Sequence, residues 1–143
     1  MTFCFDMDGT IADLYSVENW LEYLISSNPM PYANAKPMVN MSRLARLIHK
    51  VQASGHKVEI VSWLSKNSTN DYDMLVTATK KKWLEKHLPS VRFDAIYIVP
   101  YGTPKSQVTK AYNAILFDDE ERNRVEWTKG EAYTPDKIFE IMG

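Results

Sequence analysis

Hydrophobic and polar positions along the chain fall into segments whose period switches between about two and about 3.6 residues, the signatures of strands and helices. Thr2-Phe3-Cys4-Phe5 is a short β-prone run that breaks at Asp6-Met7-Asp8-Gly9-Thr10, which predicts a strand followed by a functional loop. From Tyr15 to Ser27 the apolar residues Val17, Trp20, Leu21, Leu24 and Ile25 recur at helical spacing and stop at Asn28-Pro29, predicting a short amphipathic helix. Pro29, Pro31 and Pro37 predict an irregular connection. Met41, Leu44, Ala45, Ile48 and Val51 then restore the helical period and predict a second helix that stops at Ser54-Gly55. Lys57 to Val61 reads as a strand ending at Ser62-Trp63, and the polar stretch Ser65 to Asp73 as a long loop.

The second half repeats the alternation. A third helix is predicted from about Met74 to His87, closed by Pro89, with Leu75, Ala78, Trp83 and Leu84 facing the core. Ala95–Val99 predicts a strand ended by Pro100. Thr103-Pro104 has the form of an N-cap followed by proline in the first turn, which predicts a helix carrying Lys105 at its start and running to about Tyr112. The unbroken apolar run Ala114-Ile115-Leu116-Phe117 predicts a strand buried on both faces that delivers Asp118-Asp119 at its carboxyl end. A helix over Glu120 to Trp127, a short strand at Ala132-Tyr133 and a last helix opened by Thr134-Pro135 complete the series. Strands alternating with helices imply an α/β fold with a parallel sheet covered on both faces, in which ligands lie outside the carboxyl ends of the strands. Asp6, Ser62 and Asp118 all fall at such ends.

Composition narrows the function. With 143 residues, 45% of them hydrophobic and 24% charged, the chain has the make-up of one globular domain. Lysine plus arginine number 17 against 18 acidic residues, so the strongly basic surface of a nucleic-acid binder is absent. The single cysteine, Cys4, forms no internal disulfide and reads as a small buried hydrophobe. No apolar run approaches the roughly 18 residues that span a bilayer, and the first residues carry no basic leader. The expectation is a cytoplasmic protein without a membrane partner. The sequence carries no signal for an oligomeric state.

The sharpest chemical signal is Asp6-Met7-Asp8-Gly9-Thr10 directly after a buried strand. An aspartate at a strand end can attack phosphorus and carry an aspartyl-phosphate, while a second carboxylate nearby protonates the leaving oxygen and later activates water. The glycine permits a sharp turn, and the following amides can face a phosphate. Asp118 and Asp119 add the hard oxygen ligands that Mg2+ prefers, although Asp119 is equally placed to cap the helix that follows. Lys105 and Ser62 are the candidates for holding the phosphoryl oxygens, since phosphoryl transfer is catalysed mainly by positioning and electrostatic stabilisation.

This ordered set resembles that of the haloacid dehalogenase-like hydrolases, whose pattern is DxDGT, a Ser/Thr after a second strand, a lysine, and a closing acidic pair. The resemblance covers almost the whole chain and implies a Rossmann-like three-layer α/β/α domain over residues 1–143 with a minimal cap at about 15–37. It implies Asp6 as nucleophile and metal ligand, and Asp8 as acid/base that also gives its backbone carbonyl to Mg2+. Thr10 would support the loop beside the phosphate. Ser62 and Lys105 would bind the phosphate, and Asp118-Asp119 would bind the metal. Asp8, absent from the family's dehalogenases, favours phosphate chemistry. Within the family, the stretch from Ser62-Trp63-Leu64 to Lys82-Trp83-Leu84-Glu85-Lys86-His87-Leu88-Pro89 is similar to the 5′(3′)-deoxyribonucleotidase branch and its small phage-borne relatives.

The expected activity is therefore a Mg2+-dependent phosphatase acting on a small phosphorylated substrate, with a nucleoside monophosphate favoured. A phosphorylated nucleic-acid end and a non-enzymatic phosphate- or nucleotide-binding module are the alternatives. Trp63 is a weaker candidate for contacting a base, because an aromatic beside a buried strand is more often packing. Lys80-Lys81-Lys82 reads as a solvated helix face, and His49, His56 and His87 lack metal-ligand spacing.

Overall fold

The computed structural model describes residues 1–143. Five strands form one parallel sheet: β1 (Thr2–Phe5), β4 (Lys57–Trp63), β5 (Ala95–Val99), β6 (Ala114–Phe117) and β7 (Ala132–Tyr133), in the spatial order β5-β4-β1-β6-β7. The chain builds outward from β1 to β4 and β5, then returns to the other side of β1 for β6 and β7. That reversal puts a topological switch point between β1 and β6, where the loops leaving the two strands diverge and open a crevice.

Side-chain alternation along the strands separates two packing layers. Phe3, Phe5, Val58 and Ile60 face α3 (Met41–Ala53), the second half of α4 (Asn70–His87) and α6 (Ile138–Met142), where Leu44, Ile48, Trp83, Leu84 and Ile138 are buried against them. Cys4, Val61, Ala114 and Leu116 face the opposite side, which is closed by Trp127 after α5 (Glu121–Glu126) and by Val108 and Ala111. The predicted burial of Cys4 and of the β6 run agrees with this arrangement.

Between β1 and α3 lies a small cap. A two-residue antiparallel pair, β2 (Ala12–Asp13) with β3 (Lys36–Pro37), closes a segment that carries a 3-10 turn at Leu14–Ser16, then α1 (Trp20–Ile25) and α2 (Met30–Asn34). Leu14 and Tyr32 of this segment pack against Leu64, Tyr72 and Val76, which seats it over the carboxyl ends of β4 and β5. No helix is long and apolar enough to cross a membrane.

Four local expectations are corrected. The helix expected over Tyr15 to Ser27 is split, because Asn19 adopts the left-handed conformation (φ 60°) and α1 begins only after it. The segment containing Pro29, Pro31 and Pro37 is ordered rather than irregular. Asn28 Oδ1 accepts from the Met30 amide, Pro31 sits in the first turn of α2 where a missing N–H costs nothing, and Pro37 lies in β3. The loop from Ser65 to Asp73 is shorter than expected, since Thr69 caps α4 by accepting from the Tyr72 amide at 3.2 Å and the helix starts at Asn70. Its buried stripe is Tyr72, Val76, Lys80, Trp83 and Leu84, while Leu75 and Ala78 are exposed.

The fourth correction concerns Lys105. The helix expected from there to Tyr112 is a single 3-10 turn, Lys105–Gln107, followed by irregular chain. Thr109 explains the arrest. Its hydroxyl donates to the buried Glu59 carboxylate on β4 at 2.6 Å and accepts from the Ala111 amide at 3.1 Å, so a side chain takes the bonds a helix would have made. Glu59 is buried without a cation, and its other donor is the weak Cys4 thiol. Thr109→Val should therefore lower stability by about 1–3 kcal/mol, the cost of leaving a buried acceptor unsatisfied. Urea unfolding of the two proteins measures it, and an unchanged midpoint would contradict the account.

Candidate active site

The loop that follows β1 is built from backbone bonds. The Asp6 amide donates to the Phe117 carbonyl at 3.0 Å, tying the end of β1 to the end of β6. The Met7 carbonyl then accepts from the amides of Thr10, Ile11 and Ala12 at 2.9–3.0 Å, closing a tight turn around a buried Met7 side chain. Gly9 takes φ +83°, a conformation that favours glycine, and a Cβ there would sit 2.2 Å from Asp119 Oδ2 and displace that carboxylate. The amides of Met7 and Asp8 donate to no acceptor within the chain.

Two buried ammonium groups organise the carboxylates. Lys105 Nζ donates to Asp6 Oδ1 at 2.9 Å and to Asp118 Oδ2 at 2.7 Å, bridging the ends of β1 and β6. Thr10 donates to the other oxygen of Asp6 at 3.0 Å. Asp118 accepts in addition from the Glu120 amide and the Asn123 side chain, and its carbonyl accepts from Arg124. On the other side of the loop, Lys80 Nζ donates to Asp8 Oδ2 at 2.9 Å.

Oxygens of Asp6, Asp118 and Asp119 lie within 4.8 Å of one another. Three carboxylates around the single Lys105 ammonium leave negative charge uncompensated. Burial and then the Asp6 charge push Asp118 up to about 6, and partial burial with Asp6 pushes Asp119, whose outer edge stays open to solvent, up to about 8. Burial disfavours the Lys105 ammonium, but Asp6 and Asp118 outweigh it and hold its pKa above the ordinary lysine value. Burial also raises Asp8, with Lys80 opposing and Asp6 adding. A cluster of hard oxygen donors with excess negative charge fits a divalent cation of the Mg2+ type.

These groups floor a cleft of about 570 Å3. Asp6, Asp8, Lys105, Asp118 and Asp119 line it below, with Trp63 at one wall. Leu14, Tyr15, Trp20, Leu21 and Leu24 of the cap line it from above, and Tyr101 faces it beside Trp63. The aromatic pair Trp63–Tyr101 has ring centroids 4.9 Å apart. Trp63 also donates from Nε1 to the Thr103 carbonyl at 2.8 Å, so it lines the cleft and at the same time pins the loop that delivers Lys105.

The structure thus brings six of the residues expected from sequence to the cleft. The other two, Thr10 and Ser62, are fully buried beneath it. Thr10 spends its proton on Asp6 and accepts from the Asp119 amide at 3.3 Å, which makes it a support for Asp6 rather than a ligand contact. Ser62 Oγ accepts from Lys80 at 2.7 Å. Lys80 itself is 1% exposed, which corrects the reading of Lys80-Lys81-Lys82 as a solvated face; only Lys81 and Lys82 are exposed. The signal that could have found it is the stripe through Trp83 and Leu84, which extended back by single turns meets Lys80, Val76 and Tyr72. Asn123 and Arg124 carry no comparable signal, because a polar residue after a strand-end acidic pair has many other uses.

The solved D,D-heptose 1,7-bisphosphate phosphatase from Burkholderia thailandensis superposes on this chain with a TM-score of 0.57, covering 98% of this chain and 96% of that one at 11% sequence identity. The two proteins share a fold. It is the Rossmann-like domain with a small cap that the resemblance to haloacid dehalogenase-like hydrolases implied. No protein-family model and no curated protein matches the sequence.

The charge imbalance has a measurable consequence. Asp118 and Asp119 bind protons more tightly folded than unfolded, so their contribution to stability is present at low pH and lost as pH rises through about 6 and then about 8. In chelator, the melting temperature should fall between about pH 5 and pH 8.5, and a divalent cation should restore it at the upper end. A melting temperature indifferent to both would contradict the cluster's electrostatics.

Proposed function

We propose that the protein is a Mg2+-dependent phosphatase that hydrolyses a nucleoside monophosphate through a phosphoryl group carried transiently on Asp6. The observation that carries this reading is the convergence of Asp6, Asp8, Lys105, Asp118 and Asp119 on the floor of one cleft at the switch point of the sheet. The shared fold with a bisphosphate phosphatase is consistent with it.

In the first step a carboxylate oxygen of Asp6 bonds to phosphorus as the bond from phosphorus to the leaving oxygen breaks. The electron pair departs with that oxygen, which takes a proton from Asp8. Burial keeps Asp8 protonated at higher pH than an ordinary carboxylate, which suits this role. In the second step the Asp8 carboxylate takes a proton from water as the water oxygen attacks phosphorus. The bond to Asp6 breaks and its electron pair returns to the carboxylate, so one water is consumed and an alcohol and phosphate are released. Lys105 holds Asp6 in place and sets positive charge beside the phosphoryl oxygens, and the free Met7 and Asp8 amides supply donors. Mg2+ held by Asp6, Asp118, Asp119 and the Asp8 carbonyl would offset the repulsion between carboxylate and phosphate.

The cleft's upper part favours the substrate class. Trp63, Tyr101, Tyr15 and Trp20 offer aromatic surface to a planar leaving group, and the basic lining residues are Lys66 and Lys105 alone. That supply of positive charge suits one phosphate better than a phosphorylated strand, so an oligonucleotide end is the less favoured substrate.

Phosphate release should depend on Mg2+ and be faster for nucleoside monophosphates than for sugar phosphates or an end-phosphorylated oligonucleotide. Asp6→Asn should lower kcat by at least about 10³-fold with the fold intact by circular dichroism. Substantial turnover in that variant would overturn the role of Asp6, and binding of nucleotides without turnover would replace the enzyme with a binding module.

A further inference from the structure

We infer that Lys80, on α4, is the positioning residue that fixes Asp8 as the proton donor and acceptor of the reaction; the inference rests on the phosphatase reading above. A lysine ammonium has three N–H donors. Those of Lys80 go to Ser62 Oγ at 2.7 Å, to the Trp63 carbonyl at 2.8 Å and to Asp8 Oδ2 at 2.9 Å. All three are used within the protein, so none is left for a phosphoryl oxygen. Lys105 differs in this respect, because its bonds go to two carboxylates on the cleft floor.

The three acceptors define a direction. Ser62 and Trp63 end β4, one of the most buried strands of the sheet, and anchor the ammonium from behind. Tyr32 of the cap covers it, with the ammonium 5.1 Å from the ring centroid, and the tyrosine hydroxyl is itself paired with Ser65 at 2.6 Å. The ammonium is thus fixed by groups on β4 and α2, and its one remaining N–H reaches the loop that holds Asp8. Asp8 Oδ2 is taken by that bond, while Oδ1 has no partner within the chain and Asp8 lines the cleft. Lys80 therefore decides which oxygen of Asp8 serves the leaving group. The bond also fixes the side-chain torsion that a loop carboxylate would otherwise sample freely. Ser62, buried beneath the cleft, acts here as an anchor of that ammonium.

A residue that acts only through the acid must matter in proportion to the need for acid. An alkyl leaving oxygen is strongly basic and needs a proton as it departs, whereas p-nitrophenolate leaves without one. Lys80→Met keeps the aliphatic stem and removes the three donors. Its kcat/KM, which reports phosphoryl transfer to Asp6 and not the later hydrolysis, should fall about 10²-fold on an alkyl nucleoside monophosphate, against less than about 10-fold on p-nitrophenyl phosphate. In an Asp8→Asn background, Lys80→Met should cost nothing further on the alkyl substrate. Equal losses of kcat/KM on both substrates, or a full additional loss in the Asp8→Asn background, would overturn the inference while leaving the Asp6 chemistry intact. An Asp8→Asn protein whose kcat/KM falls equally on the two substrates would remove the acid reading and this inference with it. If Lys80→Met does not fold, the double variant, which no longer buries an unpaired carboxylate, supplies the second comparison; a further loss of alkyl turnover in it relative to Asp8→Asn would again overturn the inference.

Discussion

Charge neutralisation at the carboxyl edge of the sheet is the constraint on which the rest of the molecule depends. Four aspartates converge there, and a buried charge without a partner costs several kcal/mol even after the protein relaxes. Two lysines from distant parts of the chain meet the demand, Lys105 between Asp6 and Asp118 and Lys80 beside Asp8. Each must arrive with its ammonium at the sheet edge and its stem in the core, and much of the surrounding architecture serves that delivery. The loop carrying Lys105 is held by Trp63 and by the Thr109–Glu59 bond, and the helix carrying Lys80 is placed by Tyr72, Val76 and Trp83. The balance remains incomplete around Asp118 and Asp119, where the remaining negative charge would be offset by a bound divalent cation.

The division of labour between the two lysines follows from their neighbours. Lys105 pairs with the carboxylate that, in the proposed reaction, would attack phosphorus, and would there serve the reacting centre directly. Lys80 is enclosed by the end of β4, by Tyr32 and by Asp8, and would act on a substrate only through the carboxylate it holds. Thr10 and Ser62 sit one layer further back and orient the groups in front of them. The cap adds little to this polar floor. Its contribution is the apolar wall over the cleft, where Leu21 and Ile25 stay exposed along a helix only six residues long.

Much of the fold was legible because its signals are local. Thr2–Phe5, Ala95–Val99 and Ala114–Phe117 are apolar runs bounded by polar or proline breaks, and each is a strand within the limits expected. Asp6 and Asp118 were legible as neighbours because strand ends in a parallel sheet share one edge, while Asp8 and Lys105 were singled out with them by the resemblance to the haloacid dehalogenase-like pattern. What escaped was set by contacts remote in sequence. Thr109 turned away from a helix to satisfy Glu59, fifty residues earlier in the chain. Lys80 was hidden in a run of three lysines, two of which are solvated as composition suggests, and the core register of α4 was read through Leu75 and Ala78 rather than through Tyr72 and Val76. The prolines of the cap read as helix breakers by type, yet Pro31 sits where a helix start tolerates it.

In the proposed reaction Asp6 carries a covalent phosphoryl group that can be trapped. An Asp8→Asn protein given p-nitrophenyl phosphate and Mg2+ can complete the first step, whose leaving group needs no proton, but stalls at the second, which needs a base. Acid quenching and mass spectrometry of the N-terminal peptide should then find one phosphoryl group on Asp6. Wild-type turnover that depends on Asp6, with no phosphoryl group on that residue in the stalled variant, would contradict the account.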